Sequence, residues 1–120
     1  MKNIPLARKV MEQIRNEPDK FDMSTWVSTA NSLVPDSEIS IENMDCGTTA
    51  CFAGWACILN GDTISVNEHY RMVCGPDRAR ISDRAAELLG LNQREAHELF
   101  QETSNSYIDI AVEEIFGERL

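Results

Sequence analysis

The sequence predicts a mainly α protein: a compact bundle of about five helices around a buried central helix at residues 49–59. Three observations carry this expectation. Apolar residues recur at helical spacing in several separate segments. The stretch from Ala50 to Leu59 is apolar on every side, which belongs inside a protein rather than on its surface. Helix-stopping residues punctuate the segments at Pro18, Gly61, Gly90 and Gly117.

The first helix is expected from Pro5 to Asn16. Asn3 or Ile4 precedes a proline suited to the first helical position, and Leu6, Val10, Met11 and Ile14 form one stripe. Pro18 ends it. Phe21, Trp26 and Val27 follow, with Asp22 or Ser24 as a cap, and their aromatic rings read as anchors into the core. The central helix is expected to be capped by Thr48 or Thr49 and ended by Asn60-Gly61. Gly54 inside it costs about 1 kcal/mol relative to alanine, a cost offset where another backbone packs closely.

From Thr63 to Cys74 the pattern changes to alternation, through Ile64, Val66, Tyr70 and Met72. A small two-stranded element pairing this stretch with residues near 39–42 is the one expected departure from helix. Gly75-Pro76-Asp77 reads as a turn. Three further helices are expected: Asp83–Leu89 capped by Ser82, Gln93 to about Glu102 capped by Asn92 with Glu95 completing a capping box, and about Ser106 to Phe116. The core residues expected are Trp55, Phe52, Trp26, Leu88, Leu89, Phe100 and Ile115.

With 120 residues, the chain is expected to form a single domain, 1–120. Apolar residues at 42% and charged residues at 26% place it among globular rather than disordered chains. No apolar run approaches the roughly 20 residues needed to span a bilayer, and the N-terminus has no apolar secretory core. A cytoplasmic location is expected, the host bacterial cytoplasm if the chain is phage-encoded, with no membrane partner.

The net charge is −9 and unevenly spread. No Lys or Arg occurs from Phe21 to Tyr70, and the last thirty residues carry seven acidic side chains against Arg94 and Arg119. Such a chain is repelled by a phosphate backbone unless its cations are grouped. One sequence group exists, Arg71, Arg78, Arg80 and Arg84.

The residues Pro18, Phe21, Asp22 and Thr25-Trp26, the string from Cys46 to Ala56 (CGTTACFAGWA), the Ala86–Leu91 segment and Glu95-Ala96 with Leu99-Phe100 resemble a group of small uncharacterised proteins of actinobacteria and their bacteriophages. Those proteins carry a W…CGTxACxAGWA signature. The resemblance covers roughly residues 5 to 116 and centres on Cys46, Gly47, Thr48, Cys51, Gly54 and Trp55. This chain has Phe21 in place of a tryptophan and a longer acidic insert between Trp26 and Cys46. The resemblance implies a phage or prophage setting and brings no activity with it.

Four constellations have chemical potential. Cys46, Cys51, His69 and Cys74 offer a tetrahedral zinc set, although both pairs are five residues apart, at the loose edge of the usual knuckle spacing. The competing reading is that Cys51 and Cys57 are small buried hydrophobes, and no cofactor or metal is expected. Cys51 in the first turn of the central helix is a candidate reactive thiol, with His69 or His97 as base, and a Cys46–Cys51 disulfide is a further alternative. Residues 82–102 space Ala86, Gly90, Leu91 and Ala96 as a DNA-binding helix-turn-helix does. Against DNA, the second helix carries Glu95, Glu98 and Glu102 with only Arg94. Last, the acidic stretches offer a surface to a basic host protein. The reading adopted is a non-enzymatic protein-interaction module acting on a host protein, with a DNA-associated regulator and a zinc- or thiol-dependent protein as alternatives. The oligomeric state is left open.

Overall fold

A computed structural model describes residues 2–29, 33–42, 44 and 47–120. The chain runs α1 (Ile4–Asn16), a 3-10 turn (Pro18–Lys20), β1 (Val27–Ser28), β2 (Glu38–Ile39), β3 (Thr49–Ala50), α2 (Phe52–Leu59), β4 (Ile64–Val66), β5 (Met72–Cys74), β6 (Ala79–Arg80), α3 (Ile81–Leu89), α4 (Gln93–Gln101), a second 3-10 turn (Asn105–Tyr107) and α5 (Ile108–Phe116). Two antiparallel sheets accompany the five helices, one of β1 and β3, the other in the order β2-β4-β5-β6. The architecture is therefore α+β, and the expected mainly α bundle is corrected. Alternation pointed to the stretch that holds β4 and β5, but the two-residue strands β1, β3 and β6 are too short to show it. Their pairing depends on chain segments distant in sequence.

The clearest correction falls on the central helix. Thr49 and Ala50 are strand, not its first turn. Val27 pairs with Ala50, Phe21 makes a parallel bridge to Ala50, and the Asp22 amide donates to the Ala50 carbonyl at 3.1 Å. These tertiary bonds hold residues 49–50 extended. The helix starts at Phe52, and its cap is Cys51, whose sulfur accepts from the Gly54 amide at 3.5 Å, not Thr48 or Thr49.

The expected pairing near residue 39 is present, with Ile39 opposite Ile64, but it is one rung of a four-stranded sheet rather than a separate two-stranded element. The β4–β5 hairpin places Ile64 opposite Cys74 and Val66 opposite Met72. β6 then pairs Val73 with Arg80. Helix α3 begins two residues earlier than expected, at Ile81, and Ser82 is not its cap. The Ser106–Phe116 helix divides into a 3-10 turn and α5.

Asn3 caps α1 through the Leu6 amide, and Asn92 with Glu95 forms a reciprocal capping box on α4. Helix α2 is buried from Phe52 to Ile58 and packs on α3 and α1. Phe52, Trp55, Leu89 and Phe100 are buried as expected, while Trp26, Leu88 and Ile115 lie half-buried against that core. No helix among the described residues is long and apolar enough to cross a membrane.

Candidate functional site

The signature string docks onto the segment that follows α1. The Trp26 carbonyl oxygen accepts from the Cys51 amide at 3.4 Å and lies 3.8 Å from the Cys51 sulfur. A Cβ on Gly54 would collide with that same oxygen and crowd the Ala50 and Val27 side chains. The Trp55 indole donates to the Lys20 carbonyl at 2.9 Å. Cys51, Gly54 and Trp55 therefore work together as a packing device. Thr48 is buried and Gly47 exposed, and Cys46 lies outside the described residues.

Burial pushes the Cys51 thiol up to about 11, and the hydrogen bond from the Gly54 amide only partly opposes it. Desolvation outweighs the helix terminus, so this sulfur is a thiol at neutral pH and a poor nucleophile. Of the proposed bases, His69 is exposed with its ring 3.6 Å from Glu68, and His97 pairs with Glu102 at 2.9 Å.

Cys74 is gathered with Cys57 instead. Their sulfurs are 3.3 Å apart in the interior, and Asp62 completes the only set among the described residues of three metal-ligand atoms within 4.8 Å of one another. The set weighed from sequence as an alternative to no metal was Cys46, Cys51, His69 and Cys74. Only Cys74 is shared.

The Cys57, Asp62 and Cys74 cluster does not suit a divalent cation. Structural zinc takes four protein ligands, and this cluster offers three. Both oxygens of Asp62 are also engaged: Arg84 Nε donates to Oδ2 at 2.8 Å, while Arg84 Nη2 and Asn60 Nδ2 reach Oδ1 at 3.3 and 3.2 Å. Arg84 thus stands where a metal's charge would be needed. The contact with Cys74, together with burial, pushes the Cys57 thiol up.

The arginines divide into two uses. Arg84 is committed to Asp62, with Glu87 3.5 Å away. Arg78 sits at positive φ in the β5–β6 turn. Arg71 and Arg80 line one groove of about 570 Å³ with Trp26, Tyr70, Met72, Ile81, Ser82 and Gln101. A second hollow of about 390 Å³ shares Trp26, Met72 and Gln101 and adds Met23 and Phe100. Among the described residues, neither Arg71 nor Arg80 pairs with a carboxylate.

The turn that leads into Arg71 is well fixed. The Asn67 side chain accepts from the His69 and Arg71 amides at 2.9 and 3.0 Å, and the Asn67 amide donates to the Arg71 carbonyl at 2.9 Å. Tyr70 is held in the left-handed region at φ 61 and remains 68% exposed. An ordered, strained residue of this kind often marks a functional surface.

Sequence reasoning found the arginine group but not its split, and it missed the Asp62–Arg84 pair. It placed Trp26 in the core, where it instead forms a half-buried wall of the groove. No sequence signal marks the split of the arginines: it follows from the pairing of β5 with β6, which sets Arg80 opposite Val73, two residues from Arg71.

The two helices read as helix-turn-helix are present, joined through Gly90 at φ 72. On α4, Arg94 is paired with Glu98 at 3.3 Å, so its one arginine faces a carboxylate. That arrangement is poorly suited to phosphate contact.

Fold and site together define a small α+β protein with a thiol pair in its interior and an arginine-edged aromatic groove on its surface. No family model, curated protein or solved structure is similar enough to match it.

Proposed function

We propose that this chain is a non-enzymatic binding module, of a phage or prophage setting, that acts on a host protein in the bacterial cytoplasm. The observation that carries the reading is the groove where Trp26, Tyr70 and Met72 meet Arg71 and Arg80 in a chain of net charge −9. Trp, Tyr and Arg are the side chains that most often dominate binding energy at protein interfaces. Two arginines amid an acidic surface favour an anionic partner segment and orient it. The partner chemistry that fits is an extended acidic segment with an apolar or aromatic anchor, the anchor against Trp26 and Met72, the carboxylates toward the guanidiniums.

This groove suits the partner role better than the acidic faces, because it offers uncovered apolar area beside charge. The test is selection from a displayed peptide library, followed by affinity measurement with the Arg71→Glu/Arg80→Glu variant. Acidic peptides with an aromatic anchor should be enriched, and the variant should lose at least tenfold in affinity. Enrichment of basic peptides that bind the variant equally well would move the interaction to the acidic surface. Enrichment of no peptide class would overturn the reading.

A further inference from the structure

We propose that Cys57 and Cys74 form an oxidation site, at which a small peroxide joins the two sulfurs in an intramolecular disulfide that ties α2 to β5. Cys57 lies in the middle of the most buried helix, and Cys74 is the last residue of its strand. The main chain brings them together from both sides. Pairing of Cys74 with Ile64 fixes the strand, and packing of α2 fixes the helix. The sulfurs stand 3.3 Å apart, already in contact, and a disulfide brings them to about 2.05 Å.

The surroundings favour this reaction over others. Cys57 also lies 3.9 Å from the Ile81 carbonyl, farther than the 3.3 Å to the Cys74 sulfur. The Asp62–Arg84 pair edges the cluster, with side-chain exposures of 8% and 18%. Gly75, next to Cys74, lies against the Arg84 side chain. Cys57 and Cys74 are 0% and 1% exposed, so the oxidant must be small, and hydrogen peroxide is close to water in size. The hydrogen bond with the Cys57 thiol favours the thiolate at Cys74, against burial and the Asp62 charge.

The step balances as follows. The Cys74 thiolate attacks one oxygen of hydrogen peroxide, forming an S–O bond and breaking O–O. The departing hydroxide takes up a proton as water. The Cys57 sulfur then attacks the sulfenic sulfur, forming S–S and releasing the second water. Two thiols lose two electrons and two protons, and the peroxide gains them.

The full native chain is treated with a modest excess of hydrogen peroxide, unfolded, and its thiols counted and mapped. Two of the four cysteines should be lost, with no sulfinic acid at either. Because no Lys or Arg lies between Phe21 and Tyr70, trypsin gives one fragment 21–71 and a short fragment 72–78 that carries Cys74. These should be recovered joined, and a second cleavage after Trp55 should leave the link on Cys57. In Cys57→Ser, oxidation should stop at a Cys74 sulfenic acid that a cyclic 1,3-dione traps. If that variant fails to fold, the mapping of the unaltered chain decides alone. A link from Cys74 to Cys46 or Cys51, sulfinic acid without a link, or full retention of thiols would each overturn the proposal.

Discussion

The carbonyl oxygen of Trp26 lies where a side chain on Gly54 would have to go. The same oxygen accepts the Cys51 amide at 3.4 Å, one residue before the helix begins. Helix α2 is thereby pressed against the backbone of residues 26–27, and the absence of a side chain at position 54 is what permits it. The helix-weakening cost of glycine is small beside the packing it allows.

Gly54→Ala should therefore destabilise the protein, although alanine is the better helix former. Overpacking of this kind costs about 1–3 kcal/mol, and here the obstacle is backbone, which yields little. Urea denaturation followed by circular dichroism measures it. A more stable Gly54→Ala variant would show that the Trp26 carbonyl does not constrain this position.

Trp55 anchors the same helix at a second point. Trp55→Phe keeps much of the ring but removes the donor to the Lys20 carbonyl, with an expected loss of about 1–2 kcal/mol. Trp55→Ala also empties a fully buried site and should lose about 3–5 kcal/mol. Equal losses for the two variants would assign the whole effect to the hydrogen bond.

The protein should lose stability in alkali through its buried thiols. Burial raises the folded Cys51 value to about 11 from an ordinary 9.0, so the folded state holds this proton longer than the unfolded chain does. Its contribution is complete below pH 9 and is lost as pH rises through about 11, about 2–3 kcal/mol in all. Cys57 shifts in the same direction and its partner Cys74 in the opposite one, so Cys51 is the thiol whose replacement tests the slope. Unfolding midpoints measured from neutral pH to pH 11 should fall, and Cys51→Ala should flatten the slope even where its overall stability is lower. An unaltered slope in that variant would assign the alkaline loss to other groups.

Arg84 neutralises a carboxylate that is only 8% exposed. Arg84→Ala leaves Asp62 charged and unpaired, and the expected loss is about 2–4 kcal/mol, reduced from a fully enclosed pair because the guanidinium is 18% exposed. Asp62→Asn/Arg84→Ala removes both charges and should recover part of it. Chemical denaturation compares the two variants with the unaltered chain, and no recovery in the double variant would show that packing of the arginine, not its charge, is what matters.

The legible parts of this fold are those set by near neighbours. Leu6, Val10, Met11 and Ile14 share one face of α1, and Asn92 with Glu95 closes the start of α4, because caps and stripes involve residues three or four apart. The unbroken apolar run around Trp55 marked the buried helix. The groove was partly legible, since Arg71 and Arg80 stood out in a basic cluster within an acidic chain. Their separation from Arg84 was not, because it follows from the register of β5 with β6 and from the position of Asp62.

The sequence by itself determined the helical stripes, the caps and the burial of residues 52–58, because helix bonds and side-chain periodicity are local. It did not determine that Thr49 and Ala50 are strand, that Cys51 rather than a threonine caps α2, or that Cys74 meets Cys57 rather than Cys51. Those outcomes rest on hydrogen bonds and contacts between segments 17 to 29 residues apart. Only closure of the chain brings such partners within reach, and the bonds formed there outweigh the local preference of residues 49–50 for helix.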